Sequence, residues 1–191
     1  MKRRKLLVGL LPLAAVATGV TSWAIASYSA APPDSKAPSS ASRNLQDADL
    51  LLQAGIAQQE HHDADGADRT YRRVLELDPQ NKYAWYNLGV MAQTAGRAAD
   101  ARADYDQALK TDPAFASALF NEALLLESSD PDRAGELLKR VIAGNRKAGA
   151  AHLHLGRIRA RQKRPKDAAA EFRRAIAEDP SLRSQVPAEF R

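Results

Sequence analysis

The chain repeats itself at a regular interval, and this periodicity limits the folds that it can adopt. Proline recurs from Pro79 to Pro113 and tyrosine from Tyr71 to Tyr105, each with a step of 34 in the numbering. Within each repeat, apolar and small residues recur every three or four positions, which is the pattern of an amphipathic helix. Gly96 interrupts the pattern halfway through a repeat. Each repeat is therefore expected to be a helix, a turn and a second helix.

The motif W-x2-L-G at 85–89, then A-x3-Y-x2-A-L at 101–109 and Pro113, resembles the tetratricopeptide repeat. The motif returns from Leu155 onward with an offset of 67, one less than two periods, so the third copy lacks one residue, in the turn at 128–131. The resemblance implies an all-α fold, a right-handed α-solenoid of four helical hairpins. The four copies are placed at about 48–81, 82–115, 116–148 and 149–182.

Helix boundaries follow from proline and from helical periodicity. Pro131 and Pro165 are predicted at first helical positions, where a missing N–H is tolerated. The small residues Gly55, Gly89, Ala123 and Gly156 are expected to let the two helices of each hairpin approach closely, facing Ala67, Ala101, Ala134 and Ala168. The predicted helices are 46–60, 64–77, 82–95, 97–110, 114–127, 131–143, 147–162 and 165–178.

Residues 1–31 differ from the rest of the chain, because four cations at 2–5 precede an uncharged stretch from Leu6 to Ala31. The segment 6–28 is long enough to cross a bilayer as an N-terminal hydrophobic helix. A cleaved signal sequence is the alternative, with Ala24 and Ala26 at the cleavage site. Either interpretation predicts that the cations stay in the cytoplasm and the rest is exported. Residues 32–44, rich in Pro, Ser and Ala, are predicted to be a flexible linker, and 183–191 a short tail.

The composition excludes several classes of function. The chain contains no cysteine, which rules out disulfides and thiolate chemistry. The net charge of +5 comes from residues 1–43, since 44–191 holds 22 basic and 22 acidic side chains. Within that part, 44–136 carries a net charge of −9 and 137–191 of +9. Nucleic acid is not the expected partner, because no aromatic residues interleave the basic run at 157–166 for base stacking.

The family resemblance implies that the first helices of successive repeats line a concave groove. Gln53, Asn87, Asn121 and His154 occupy the same place in consecutive copies. Amide side chains offer a donor and an acceptor together, so such a column could pair with the backbone of an extended peptide. Large apolar residues beside the column would supply apolar contact and anchoring. The predicted partner-binding residues are Gln53, Asn87, Asn121, His154, Tyr83, Tyr86, Phe120 and Arg157.

Neither a metal site nor a catalytic site is predicted. The acidic run at 61–68 lacks calcium-loop spacing and lies in a turn, where such residues cap helices. No phosphate-binding loop, G-x-S-x-G or H-E-x-x-H motif is present. No cofactor is therefore expected.

The sequence favours a non-catalytic interaction module, tethered by a single N-terminal pass with its repeats outside the cytoplasmic membrane. Its predicted partner is a protein or extended peptide in the concave groove. The alternative is a structural envelope protein that forms homo-oligomers through its last helix and its oppositely charged ends. The helix 165–178 supports this alternative if its outer face stays bare, although Val186 and Phe190 could also cover it.

Overall fold

The computed structural model describes residues 39–145 and 147–191, which form eight α-helices followed by two short 3-10 turns. The helices are α1 (Ser40–Glu60), α2 (Ala64–Leu77), α3 (Lys82–Thr94), α4 (Ala98–Thr111), α5 (Ala116–Leu126), α6 (Pro131–Gly144), α7 (Gly149–Arg161) and α8 (Pro165–Glu178). They pair as α1–α2, α3–α4, α5–α6 and α7–α8, and each second helix packs against the first helix of the next hairpin. The predicted all-α fold of helical hairpins is confirmed for the described residues.

The predicted N-terminal anchor or signal segment and most of the linker lie outside the described residues. Among the helices that are described, none is both long enough and apolar enough to cross a membrane. Helix α1 begins at Ser40, inside the stretch that the composition assigns to the linker. The hydroxyl of Ser39 accepts a hydrogen bond from the Ser42 backbone N–H, so serine caps the helix at this point.

Helices α6 and α8 begin at Pro131 and Pro165 as predicted. Helices α5 and α7 begin slightly later than predicted, at Ala116 and Gly149. The reason is a side-chain turn before each helix: a side-chain oxygen of Asp112 accepts the Ala114 N–H at 3.0 Å, and one of Asn145 accepts the Lys147 N–H at 3.0 Å. Such turns compete with the helical backbone for the same N–H groups.

The close approach within three hairpins is set by a glycine against an aromatic ring. A Cβ added to Gly89 would lie 2.6 Å from Cε1 of Tyr105 and 3.2 Å from the carbonyl oxygen of Ala101. The same 2.6 Å spacing occurs between Gly55 and Tyr71 and between Gly156 and Phe172. The predicted closeness to Ala101 is therefore present, but the nearest neighbour is a ring that the sequence pattern did not reveal.

The turns within the hairpins share a left-handed residue. Gly96 has φ +73°, and His62 and Lys163 adopt φ 62° and 58° at the equivalent places in the first and fourth hairpins. These are the positive φ values recorded among the described residues, and the third hairpin contributes none. The residue missing from its turn is thus the one that would take this conformation.

The C-terminal tail covers the last helix. Residues Pro180–Gln185 and Ala188–Phe190 form 3-10 turns that pack on α8. Val186 is completely buried in a cluster with Phe172 and Leu182, and the ring centroid of Phe190 lies 5.1 Å from that of Phe172. Of the two outcomes considered for this face, the structure has the one in which the chain covers it.

Candidate protein-interaction groove

The first helices of the first three hairpins enclose a cleft of about 370 Å³. It brings together four of the eight predicted partner-binding residues, Gln53, Tyr83, Tyr86 and Asn87. Its walls are Leu52, Gln53 and Ile56 from α1, Tyr83, Tyr86 and Asn87 from α3, Phe115 immediately before α5 and Ser117 in its first turn. The cleft therefore combines apolar and aromatic surface with two amides.

Phe115 organises the aromatic wall of this cleft. Its ring lies edge-on to Tyr83 and Tyr86, with centroids 5.5 and 5.3 Å away. Edge-to-face pairs at such distances are favourable because the positive ring edge meets the negative ring face. Tyr83 nevertheless remains 49% exposed, which leaves an aromatic surface free for contact.

The side chain of Lys82 packs against the edge of this aromatic wall. The Lys82 ammonium lies 5.1 Å from the ring centroids of both Tyr83 and Phe115, and its Nζ is 2.6 Å from Oδ2 of Asp112. The hydrogen bond to Asp112 raises the pKa of Lys82, and the same bond lowers the pKa of the Asp112 carboxyl. This ion pair ties α3 to the end of α4.

The four residues of the predicted column differ in their availability. Gln53 is exposed and Asn87 half-buried, and neither side chain makes a hydrogen bond to any other residue that the structure describes. The Asn121 amide instead donates to the hydroxyl of Tyr86 at 3.1 Å. Gln53 and Asn87 are thus the two amides free to bind a ligand, whereas Asn121 orients a tyrosine of the cleft.

His154, the fourth member of the column, joins the third and fourth hairpins. Its Nδ1 lies 2.7 Å from Oε2 of Glu127, and an Arg161 nitrogen lies 2.7 Å from Oε1 of the same carboxylate. Burial raises the pKa of Glu127, but the hydrogen bonds to His154 and Arg161 outweigh it and lower that pKa. The His154 ring also lies edge-on to Phe120, with centroids 5.6 Å apart. This geometry makes His154 and Phe120 a link between hairpins as well as groove residues.

The tail closes the groove at the fourth hairpin. Leu153, which matches Tyr86 and Phe120 in the repeat register, is only 1% exposed and lies in one cluster with Val186. The Arg157 guanidinium donates to the carbonyl oxygen of Gln185 at 3.5 Å. Arg157 is therefore placed beside the tail, at the end of the groove.

The sequence analysis missed Phe115 as a groove residue. The sequence places position 115 inside the predicted helix 114–127 but not among the inward positions, whereas in the structure it lies in the turn before α5. The repeat register could have drawn attention to Phe115. Asn81, Phe115 and Ala148 occupy the same place in successive copies, and only Phe115 is aromatic. A residue that enters the groove from a turn has no helical periodicity to mark it.

A family model for the tetratricopeptide repeat matches residues 52–114, 92–128 and 123–182. The chain belongs to the tetratricopeptide repeat family. The matches together run through all four hairpins, so the tetratricopeptide repeats occupy most of the described chain.

Solved structures of other tetratricopeptide repeat proteins share this fold. MamA is 18% identical, with a TM-score of 0.65 over 72% of this chain and 81% of that one. PilF of Pseudomonas aeruginosa is 22% identical (TM-score 0.64), and so is PilW, described as a widely conserved type IV pilus biogenesis factor (TM-score 0.65). Each of these two alignments covers 72% of this chain and 64% of the other. At such identities the likeness concerns the fold alone. No curated protein is similar enough to this sequence to count as a relative.

Proposed function

We propose that the tetratricopeptide repeats form a non-catalytic interaction module that holds an extended polypeptide in the concave cleft. The observation that carries this proposal is the cleft itself, in which two amides without a hydrogen-bond partner among the described residues lie beside exposed aromatic surface. Polar side chains without intramolecular partners next to apolar walls are the usual composition of a ligand site.

The proposed mechanism divides binding between backbone and side chains of the ligand. The amides of Gln53 and Asn87 each present a donor and an acceptor, so they can pair with peptide N–H and C=O groups without reading the sequence. Leu52, Ile56 and the Tyr83 ring would cover an apolar ligand side chain and remove its surface from water. Asn121 supports this arrangement indirectly by holding the Tyr86 hydroxyl.

We further propose that the module works outside the cytoplasmic membrane, tethered through residues 6–28 or released by cleavage. The support is the order of charge and hydropathy along residues 1–31. The linker would give the repeats reach from the membrane surface.

The decisive experiment compares the double variant Gln53→Ala and Asn87→Ala with the unaltered full chain. Peptides are first selected on the unaltered chain from a random library, and their affinity is then measured by calorimetry. The double variant should bind about tenfold more weakly or worse, because it loses hydrogen bonds worth about 0.5–1.5 kcal/mol each and about 1.4 kcal/mol is a tenfold change in affinity. Gln80→Ala removes an exposed amide from a turn outside the cleft and should leave the affinity unchanged. Equal affinities for the double variant and the parent would contradict the proposal.

Self-association is the second candidate, favoured by the division of charge into −9 and +9 parts. The tail removes one of its two supports, because Val186 and Phe190 already cover the last helix. The remaining, charge-driven form predicts dimers at low ionic strength that dissociate as salt screens the attraction. Light scattering that finds a monomer at both low and high salt would reject it.

A further inference from the structure

We call a joint the place where the second helix of a hairpin meets the element that follows it. One repeat position differs between these joints, and this difference points to a second binding site. At the joint of the second and third hairpins, the Phe115 ring fills the space beside Tyr83 and Tyr86. The Lys82–Asp112 ion pair closes the edge of this joint. The protein's own phenylalanine thus occupies the space between these side chains.

One repeat later, small or neutral residues stand at the same places. Ala148 replaces Phe115, Ser117 replaces Tyr83, and the ion pair becomes Ala116 and Asn145. A hollow of about 250 Å³ lies here, walled by Phe120, Val141, Ala148 and Ala151, with Lys147 at its rim. The hollow thus lies where the preceding joint holds a phenylalanine ring.

The following joint also carries a large side chain at this position. Leu182 stands there in the register and is only 8% exposed. Its Cδ1 lies 3.3 Å from where a Cβ on Gly149 would be. Among the three joints that follow α4, α6 and α8, only the one between the third and fourth hairpins therefore has an alanine at this position.

Two backbone N–H groups in the wall of the hollow, those of Lys147 and Ala148, are hydrogen-bonded without a ligand. The Ala148 N–H donates to Oε2 of Glu178 at 2.6 Å, and the Ala148 carbonyl accepts from the His152 N–H at 2.9 Å. The Lys147 N–H donates to the side chain of Asn145. These bonds hold Lys147 and Ala148 in place before a ligand binds, which favours affinity.

We propose that this hollow is a pocket for an aromatic side chain of the peptide bound in the groove. The occupant is argued from the preceding joint, where the protein fills the same space with its own phenylalanine ring. Ser117 lines both the hollow and the cleft of the first three hairpins, so one extended peptide reaches both. Lys147 at the rim favours an acidic residue next to the aromatic one. The inference rests on the proposed groove function and specifies the class of peptide.

The test uses the full chain and a small probe, N-acetyl-phenylalaninamide, followed by methyl NMR. The probe should shift the resonances of Val141, Ala148 and Ala151, whereas N-acetyl-alaninamide at equal concentration should not. Ala148→Phe copies Phe115 and should weaken probe binding by about tenfold or more, because the new ring occupies the pocket. The control Ala99→Phe adds an equal ring at an exposed position of α4 and should not affect the probe.

A second variant protects the test from a folding defect. Ser117→Tyr copies Tyr83 and narrows the pocket from its other side, so it should also weaken binding of the probe. Equal binding of both probes, or probe shifts that survive in both Ala148→Phe and Ser117→Tyr, would overturn the pocket.

The pocket and the groove can fail separately. If the pocket is correct, library selection on the unaltered chain enriches aromatic residues, and selection on Ala148→Phe loses that enrichment while peptides still bind. Peptide binding that depends on Gln53 and Asn87 without aromatic enrichment or probe binding overturns the pocket alone. Probe binding at Ala148 combined with unchanged peptide affinity in the Gln53→Ala and Asn87→Ala variant overturns the groove function alone.

Discussion

The carboxylate of Glu122 is completely buried 3.7 Å from the guanidinium of Arg133, and neither of its oxygens has a hydrogen-bond partner. Glu122 occupies the register position of Leu88 and Leu155, which are core leucines in the second and fourth hairpins. A buried carboxylate without a hydrogen bond costs free energy, so this position lowers the stability of the third hairpin.

Replacing this carboxylate by leucine should stabilise the protein. Glu122→Leu removes a buried carboxylate that has no hydrogen bond and restores the leucine found in the neighbouring copies. We expect the free energy of unfolding to rise by about 1–3 kcal/mol. Urea unfolding followed by circular dichroism measures the change, and a less stable Glu122→Leu variant would show that Glu122 has a partner in solution.

The same residue predicts a pH dependence. Burial and the nearby Asp106 raise the pKa of Glu122 above its ordinary value of 4.5, and Arg133 opposes the shift only in part. The folded state therefore binds this proton more tightly than the unfolded state. The contribution of this bound proton to stability is complete below about pH 4.5 and is lost as pH rises through the raised pKa of Glu122. Glu122→Gln does not titrate, so its advantage over the parent chain should grow from pH 4 to pH 7. A difference that stays constant across this range would contradict the shift.

The contact of Gly89 with Tyr105 predicts a large effect from one methyl group. Gly89→Ala would place a Cβ 2.6 Å from the Tyr105 ring, so the two helices must move apart. We expect a loss of about 1–3 kcal/mol from overpacking, more than the roughly 1 kcal/mol that alanine adds through helix propensity. Gly144→Ala, at the end of α6, is the control, since its added Cβ meets no described atom within 4 Å apart from its chain neighbours and its own helix backbone. Thermal unfolding should give a lower midpoint temperature for Gly89→Ala and a higher one for Gly144→Ala than for the parent chain.

The left-handed turn residues predict stabilising substitutions. Lys163 has φ 58°, a conformation that costs a side-chain-bearing residue about 1–2 kcal/mol. Lys163→Gly should therefore raise the free energy of unfolding by up to about 1 kcal/mol after the entropy cost of glycine is subtracted. Gly96→Ala should lower it by about the same amount, because Gly96 has φ +73°. Urea titrations check both, and a destabilising Lys163→Gly would show that the lysine side chain itself contributes to the turn.

The tail predicts a local rather than global loss of structure. Val186→Asp would bury an unpaired carboxylate beside Phe172 and should cost about 2 kcal/mol or more. Because each hairpin contacts only its neighbours, hydrogen exchange should quicken in α7 and α8 and stay unchanged in α1 and α2. The exposed Ser184→Asp is the control within the same tail. Equal acceleration in all eight helices would contradict a local capping role.

How much of the structure the sequence predicted depends on how far apart in the chain the residues lie that determine each feature. The repeat period and the prolines determined the hairpins, their order and helix starts such as Pro131 and Pro165. These features depend on residues a few positions apart, where backbone sterics and helical periodicity act. The partner-binding role of the eight predicted groove residues stays a prediction, although the structure gathers four of them in one cleft.

Only the tertiary structure decided which of the equivalent residues are free to contact a ligand. It bonds Asn121 to Tyr86, ties His154 to Glu127, buries Leu153 beneath the tail and leaves a hollow at Ala148. Each outcome depends on a side chain from a neighbouring hairpin or from the tail, brought near by the stacking of hairpins. A repeat pattern makes such positions equivalent in the sequence, but the neighbours that the fold supplies determine whether a side chain is bonded, covered or open to a ligand.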